Sequence, residues 1–210
     1  MNELLVRTLT GAVLIVAALL AALHGGNLFA VVVAAVATAM FYEWTRIARG
    51  WGDGWYASGF FYALVPALAL LWIRERDVHG VALLLWAFIV TWSTDIGAYF
   101  VGRAIGRNKL APSISPGKTV EGLIGGVIAA ALVGGAWATY QRLGVALLVL
   151  APLFALAAQG GDLFESWIKR RAGVKDSGHW LPGHGGVLDR LDGLVPVAVL
   201  TAAAQLVGLT

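Results

Sequence analysis

Apolar runs at about 8–24, 27–44, 55–73, 80–101, 119–139, 143–162 and 193–209 take up most of this 210-residue chain, and only short polar joints separate them. Each approaches the roughly 20 residues a helix needs to cross about 30 Å of hydrocarbon. Backbone N–H and C=O groups cannot stay unpaired in lipid, and none of the runs alternates as a barrel strand does. The expected fold is an all-α polytopic membrane protein, a bundle of about seven transmembrane helices with a polar site facing the cytoplasm. Composition agrees, because 59% hydrophobic and 13% charged residues lie outside the balance of a soluble domain.

Orientation follows from the basic residues. With the N-terminus inside, one side holds Arg7, Arg46, Arg49, Arg103, Arg107, Lys109, Lys118, Lys169, Arg170, Arg171, Lys175 and Arg190, whereas the other holds Arg74, Arg76 and Arg142. The positive-inside rule then puts the polar connections 102–118 and 165–192 on the cytoplasmic face of the cell (inner) membrane. One arginine ahead of an apolar run ending in "LLAALHGG" also fits a cleaved signal peptide. The charge count with that run retained favours a signal anchor.

The absence of cysteine excludes disulfides, thiolate metal sites and cysteine nucleophiles, leaving oxygen or imidazole ligands and hence hard cations. In so apolar a chain the net charge of +3 marks membrane topology and not nucleic-acid binding. Gly122, Gly125, Gly126, Gly134 and Gly135 are spaced for close helix packing. The nine tryptophans, Trp44, Trp51, Trp55, Trp72 and Trp180 among them, suit an interfacial belt.

Ionisable groups in or beside the spans carry more information, since a carboxylate in hydrocarbon is costly and persists where it meets a cavity, a partner or an ion. Asp95 lies inside the fourth run. Asp162, Glu165, Ser166 and Lys169 follow helical spacing at the end of the sixth and are expected on one face. Beyond them, "VKDSGHWLPGHGGVLDRLDG" (174–193) is polar and glycine-rich, and its Asp189 and Asp192 share a face if the seventh helix starts there. Carboxylates beside Arg190 suit magnesium held partly by phosphate oxygens, and the glycines of "PGHGG" suit backbone amides presented to a phosphate. "SPGKT" (115–119) is not a P-loop, for Pro112 stands where that motif needs glycine. Lys118 nevertheless heads the fifth helix, next to free amides and the positive dipole end. Such a pocket at headgroup depth suggests phosphoryl or nucleotidyl transfer onto a lipid.

The run "SWIKRRAGVKDSGHWLPGHGGVLDRLD" (166–192) resembles the signature of the phosphatidate cytidylyltransferases, the CDP-diacylglycerol synthases. Ser166, Lys169, Arg170, Lys175, Asp176, Gly178, Pro182, His184, Gly185, Gly186, Asp189, Arg190 and Asp192 fill its specified positions. "TDIGAYFVGRAIGRNKLAPSISPGKTVEG" (94–122) resembles a second block of that family and "GGDLFES" (160–166) a third, while "FYEW" (41–44) is similar to a weaker N-terminal feature.

That resemblance implies an enzyme that joins CTP to phosphatidate in the membrane, giving CDP-diacylglycerol and pyrophosphate, with Mg2+ and room for a second, monovalent cation such as K+. It implies Asp162, Asp189 and Asp192 as metal ligands. Lys175, Asp176 and Arg190 join them as catalytic candidates. Lys118, Ser166, Lys169, Arg170, His184, Gly185 and Gly186 are expected on the phosphates, and Asp95 and Glu165 are further candidates. Membrane lipids and a second copy in a homodimer complete the expected partners, with no nucleic acid. Residues 1–76 form an N-terminal part of three spans, shorter than is common in the family, and residues 77–210 the catalytic part. A CTP-dependent lipid kinase, or transfer to another lipid phosphate, is the alternative; a transporter would need related halves with broken helices, which the sequence lacks.

Overall fold

The computed structural model describes residues 3–76, 78–181, 183 and 185–210, with side chains from Leu5 onward except that of Arg7. Seven helices coincide with the seven apolar runs: α1 (Glu3–His24), α2 (Gly26–Ile47), α3 (Asp53–Glu75), α4 (Gly80–Ile105), α5 (Val120–Tyr140), α6 (Ala146–Arg171) and α8 (Leu194–Leu206). One further short helix, α7 (Leu188–Leu191), precedes α8. Helices α2 to α6 are long and apolar enough to cross a membrane, whereas the apolar stretches Thr8–His24 and Leu194–Leu206 are shorter. Large apolar side chains such as Val13, Leu132 and Val149 lie open on the outer surface, as a lipid-facing bundle requires. The chain is an all-α polytopic membrane protein.

The polar connection after α4 adds a feature that the apolar pattern did not announce. Strands β1 (Lys109–Ala111) and β2 (Ser115–Thr119) pair antiparallel, with Lys109 opposite Thr119 and Ala111 opposite Ser115. Ladders of three and five residues are too short for a period of two to stand out. Lys118, expected at the head of the fifth helix, therefore lies on a strand. Thr119 caps α5 by accepting the Gly122 N–H at 3.0 Å, and Glu121 accepts the N–H groups of Arg107 and Asn108, tying the end of α4 to the start of α5.

Helix α4 runs through the centre, with Leu83, Leu84, Trp86 and Val90 fully buried. The glycines act as their spacing suggested. A Cβ on Gly125 would press on Val101 at 2.5 Å, and one on Gly126 would meet the Thr94 carbonyl at 2.6 Å, so α4 and α5 touch along their backbones. The tryptophans divide. Trp180 is exposed and rests against Tyr42, but Trp44 is only 2% exposed and packs on Trp55, Tyr62 and Phe164 inside the bundle. Its indole N–H donates to the Trp55 carbonyl at 2.7 Å, which satisfies the polar edge of so large a ring once it is buried.

Candidate active site

Because the helices alternate in direction, the last turns of α2, α4 and α6 meet the first turns of α5 and of the α7–α8 pair at one end of the bundle. A cavity of about 1150 Å³ opens there. One wall is apolar, built by Leu14 and Ile15 of α1 and by Val32, Val36 and Ala39 of α2. The other carries Asp95, Tyr99 and Arg103 of α4, Lys118 of β2, Gln159 and Asp162 of α6, and Asp189, Arg190 and Asp192 of the α7 segment.

A hydrogen-bonded chain crosses the polar wall. Gln159 Nε2 donates to Asp95 Oδ1 at 3.3 Å, and Lys118 Nζ donates to Gln159 Oε1 at 2.8 Å. The same ammonium lies 2.6 Å from Asp162 Oδ2, and Ser166 Oγ donates to Asp162 Oδ1 at 3.3 Å. Lys118 thus spends its charge on a carboxylate instead of standing open beside helix amides. Asp192, which ends α7, accepts its neighbour Gly193's N–H at 2.8 Å. Burial and the nearby Asp162 carboxylate, with Asp95 behind it, push the Asp192 carboxyl up to about 7 against the pull of that N–H and of Lys118.

Asp189 is bound differently. Its Oδ1 lies 2.6 Å from Lys169 Nζ, and its Oδ2 accepts the N–H groups of Ser177 at 3.0 Å and Gly186 at 2.8 Å. Lys169 also pairs with the buried Glu165 at 2.8 Å. Burial opposes the Asp189 charge, yet the Glu165 and Lys169 side chains and the Gly186 N–H hold its carboxylate below the usual aspartate range. The single stripe expected on α6 is therefore divided: Asp162 and Ser166 serve the cavity, Glu165 and Lys169 the buried ion pair.

These features coincide with a match by sequence: residues 49–207 fit the model of the cytidylyltransferase family. The chain belongs to that family. It is 47% identical over 192 residues to a phosphatidate cytidylyltransferase of Brucella suis biovar 1 (strain 1330), covering 89% of this chain and 69% of the relative. Proteins of the same name from Bacillus subtilis (strain 168) and Haemophilus influenzae (strain ATCC 51907 / DSM 11121 / KW20 / Rd) are 46% and 44% identical over 57% and 64% of this chain, and over 46% and 49% of their own lengths.

Within the chain the signature residues take several places. Arg170 turns away from the cavity and donates to the carbonyls of Ile114 and Val174, joining the β-hairpin to the end of α6. Lys175 and Asp176 are exposed on the loop. Gly185 has φ +80°, and a Cβ there would meet Asp189 Oδ2 at 2.7 Å. The Gly186 amide is donated to Asp189 and not presented to a ligand. His184 lies outside the described residues. Among the described residues no three carboxylates or imidazoles are close enough to share one ion. Asp162, Asp189 and Asp192 line one cavity, but both oxygens of Asp189 are occupied, so it can join an ion only by giving up Lys169 or an amide.

Two groups receive no role from the sequence, although Glu43 lies within the quoted "FYEW". Arg103 lines the cavity, and Asp95, Ala98, Tyr99, Gly102 and Arg103 form a stripe at i, i+3, i+4, i+7 and i+8 that was readable in the sequence. Glu43 is fully buried and among the described residues accepts hydrogen bonds from Ser177 Oγ and the N–H groups of Val187 and Leu188. Its signal was a carboxylate inside the second apolar run, the same anomaly that pointed to Asp95.

Proposed function

We propose that this chain transfers the cytidylyl group of CTP to phosphatidate, releasing pyrophosphate and leaving CDP-diacylglycerol in the membrane. The observation that carries the reading is the two-sided cavity, with apolar helix surface along one wall and fixed cations and carboxylates along the other. A lipid phosphate needs both, and a soluble phosphate acceptor would have no use for the first.

An oxygen of the phosphatidate phosphate forms the bond to the α-phosphorus of CTP, and the bond from that phosphorus to the pyrophosphate oxygen breaks in line. The attacking group is already an anion near neutral pH, so no side chain has to remove a proton. Lys118, Arg103 and Arg190 supply positive charge from the cavity wall, which favours the crowded phosphates of the transition state. Asp162 and Asp192 are the residues that would hold magnesium in this proposal, and the ion would supply further positive charge to the phosphates. The donor set fits hard-cation chemistry: both are carboxylates on the wall of one cavity, although Asp162 would have to share its oxygens with Lys118 and Ser166 and Asp192 one of its own with the Gly193 N–H.

The end of the bundle that carries the site is, in this proposal, the cytoplasmic one. A cysteine in place of the exposed Lys175 should react only with reagent on that side, and labelling from outside would overturn the orientation. Purified protein given phosphatidate, Mg2+ and CTP labelled in the α- or γ-phosphate tests the chemistry. Label from the α-position in the lipid product is expected; label from the γ-position would make the chain a lipid kinase instead.

A further inference from the structure

Glu43 reaches across the fold to the loop that carries Asp189 and Asp192. It lies on α2, 134 residues before Ser177, and its side chain is fully buried. Oε1 accepts the Val187 N–H at 2.9 Å, and Oε2 accepts the Leu188 N–H at 2.8 Å and the Ser177 hydroxyl at 2.9 Å. The two amides open α7 and have no carbonyl partner within so short a helix. One carboxylate therefore fixes the start of α7 and the middle of the loop before it.

The same carboxylate explains two glycines of the signature. A Cβ on Gly178 would run into Glu43 Oε1, and the three nearest atoms all belong to Glu43. A Cβ on Gly186 would come within 2.5 and 2.7 Å of the two Glu43 oxygens and would strike Ser177 Oγ. Gly183 and Gly185 nearby have positive φ, but Gly178 and Gly186 do not. The Glu43 carboxylate fills the space that a side chain would take at Gly178, and together with Ser177 Oγ it does so at Gly186.

We infer that Glu43 is a positioning residue of the transferase site, setting where Asp189, Arg190 and Asp192 stand on the cavity wall. It does not line the cavity itself and acts only through the loop. The catalytic half of this inference rests on the proposed function; the clamp does not. Glutamine at this position can serve one of the two backbone N–H groups with its single carbonyl but leaves the other facing an amide donor.

The test uses the full chain in detergent or nanodiscs. Hydrogen exchange is followed without substrate in the wild type, Glu43→Gln, Glu43→Ala, Gly178→Ala and the Glu43→Ala/Gly178→Ala double variant, and turnover with CTP, phosphatidate and Mg2+ is measured in parallel. In Glu43→Gln the Val187 and Leu188 amides should exchange faster while α4 and α5 keep their protection. The kcat of that variant should fall by about a hundredfold, as a displaced reacting group would cause, with KM for CTP close to wild type. Gly178→Ala should also slow turnover, yet the double variant should be no slower than Glu43→Ala alone, because the clash disappears with the carboxylate. Wild-type kcat with α7 still protected in Glu43→Gln would overturn the inference, as would a double variant slowed by the product of the single effects. If Glu43→Ala does not fold, Gly178→Ala decides: slower turnover with an intact α4–α5 pair supports the clamp, and wild-type rates with unchanged protection at 187 and 188 refute it. An inactive wild type sinks the proposed function, while the exchange comparison still decides the clamp.

Discussion

Asp189 and Asp192 stand three residues apart on one short helical segment, and burial opposes the charge of both. They nevertheless end on opposite sides of the ordinary aspartate range. Asp189 meets an ammonium and two backbone N–H groups, and its carboxylate is held low. Asp192 meets one N–H and faces the carboxylates of Asp162 and Asp95, and its carboxyl is raised. The difference extends around each residue. On the Asp189 side, Glu43, Glu165, Lys169 and the loop amides answer one another within the protein. On the Asp192 side, the carboxylates of Asp95, Asp162 and Asp192 line one cavity, with Lys118 paired to Asp162 among them. The first arrangement completes itself, whereas the second, on the proposed function, is the one a ligand would complete.

The largest effects should come from the open side and fall on activity. Asp162→Asn and Asp192→Asn are expected to lower turnover by about 10² to 10³, the range for loss of one group that stabilises transition-state charge. Liponucleotide formation by the purified variants checks this. For Asp192 the stability effect should have the opposite sign. Its carboxyl has an ordinary value of 3.8 and is pushed up to about 7 in the folded chain, so the protonated form stabilises the fold below about pH 4 and that contribution is lost as pH rises through about 7. Asp192→Asn should therefore raise the thermal midpoint in metal-free buffer at pH 8, with the gain shrinking toward pH 4. A midpoint that falls at pH 8 would place Asp192 on the closed side after all.

The closed side should respond the other way. Asp189→Asn leaves Lys169 and Glu165 buried without their third member, and breaking a buried pair costs about 3 kcal/mol. Because the Asp189 carboxylate is held below its ordinary value of 3.8, its stabilisation is present above that pH and lost as pH falls through the lower folded value. Thermal unfolding in detergent should thus show the deficit of Asp189→Asn at pH 7 and a smaller one near pH 3. Equal midpoints at pH 7 would erase the distinction between the two aspartates.

How far the sequence reached follows the same division. All seven apolar runs became helices, because bilayer thickness and backbone hydrogen bonding leave a long apolar segment few choices. Asp95, Lys118, Asp162, Asp189 and Asp192 come to one cavity, since charge in an apolar chain is rare enough to stand out. Partners were not legible. Spacing put Asp162, Glu165, Ser166 and Lys169 on one stripe, but a helix face is wide enough to serve two neighbours, and β2 and α7 claim different edges of it. Glu43 stayed hidden for a further reason: its partners are two backbone amides and a serine over 130 residues away, and backbone amides leave no trace in composition.

The smallest expected effect belongs to a charge that serves neither side. Arg171 ends α6 two residues beyond Lys169, with its guanidinium 4.7 Å from the Trp51 ring centre, 4.9 Å from that of Trp55 and 5.7 Å from that of Trp167. This cage holds the cation by ring faces at the end of α6, and none of its residues lines the cavity. Arg171→Ala should cost about 1 kcal/mol of stability and leave kcat and the response to Mg2+ unchanged. If turnover instead drops as far as in Asp192→Asn, then any loss of charge at this end of the molecule is damaging, and the contrast between a self-completed half and a ligand-completed half would have to be abandoned.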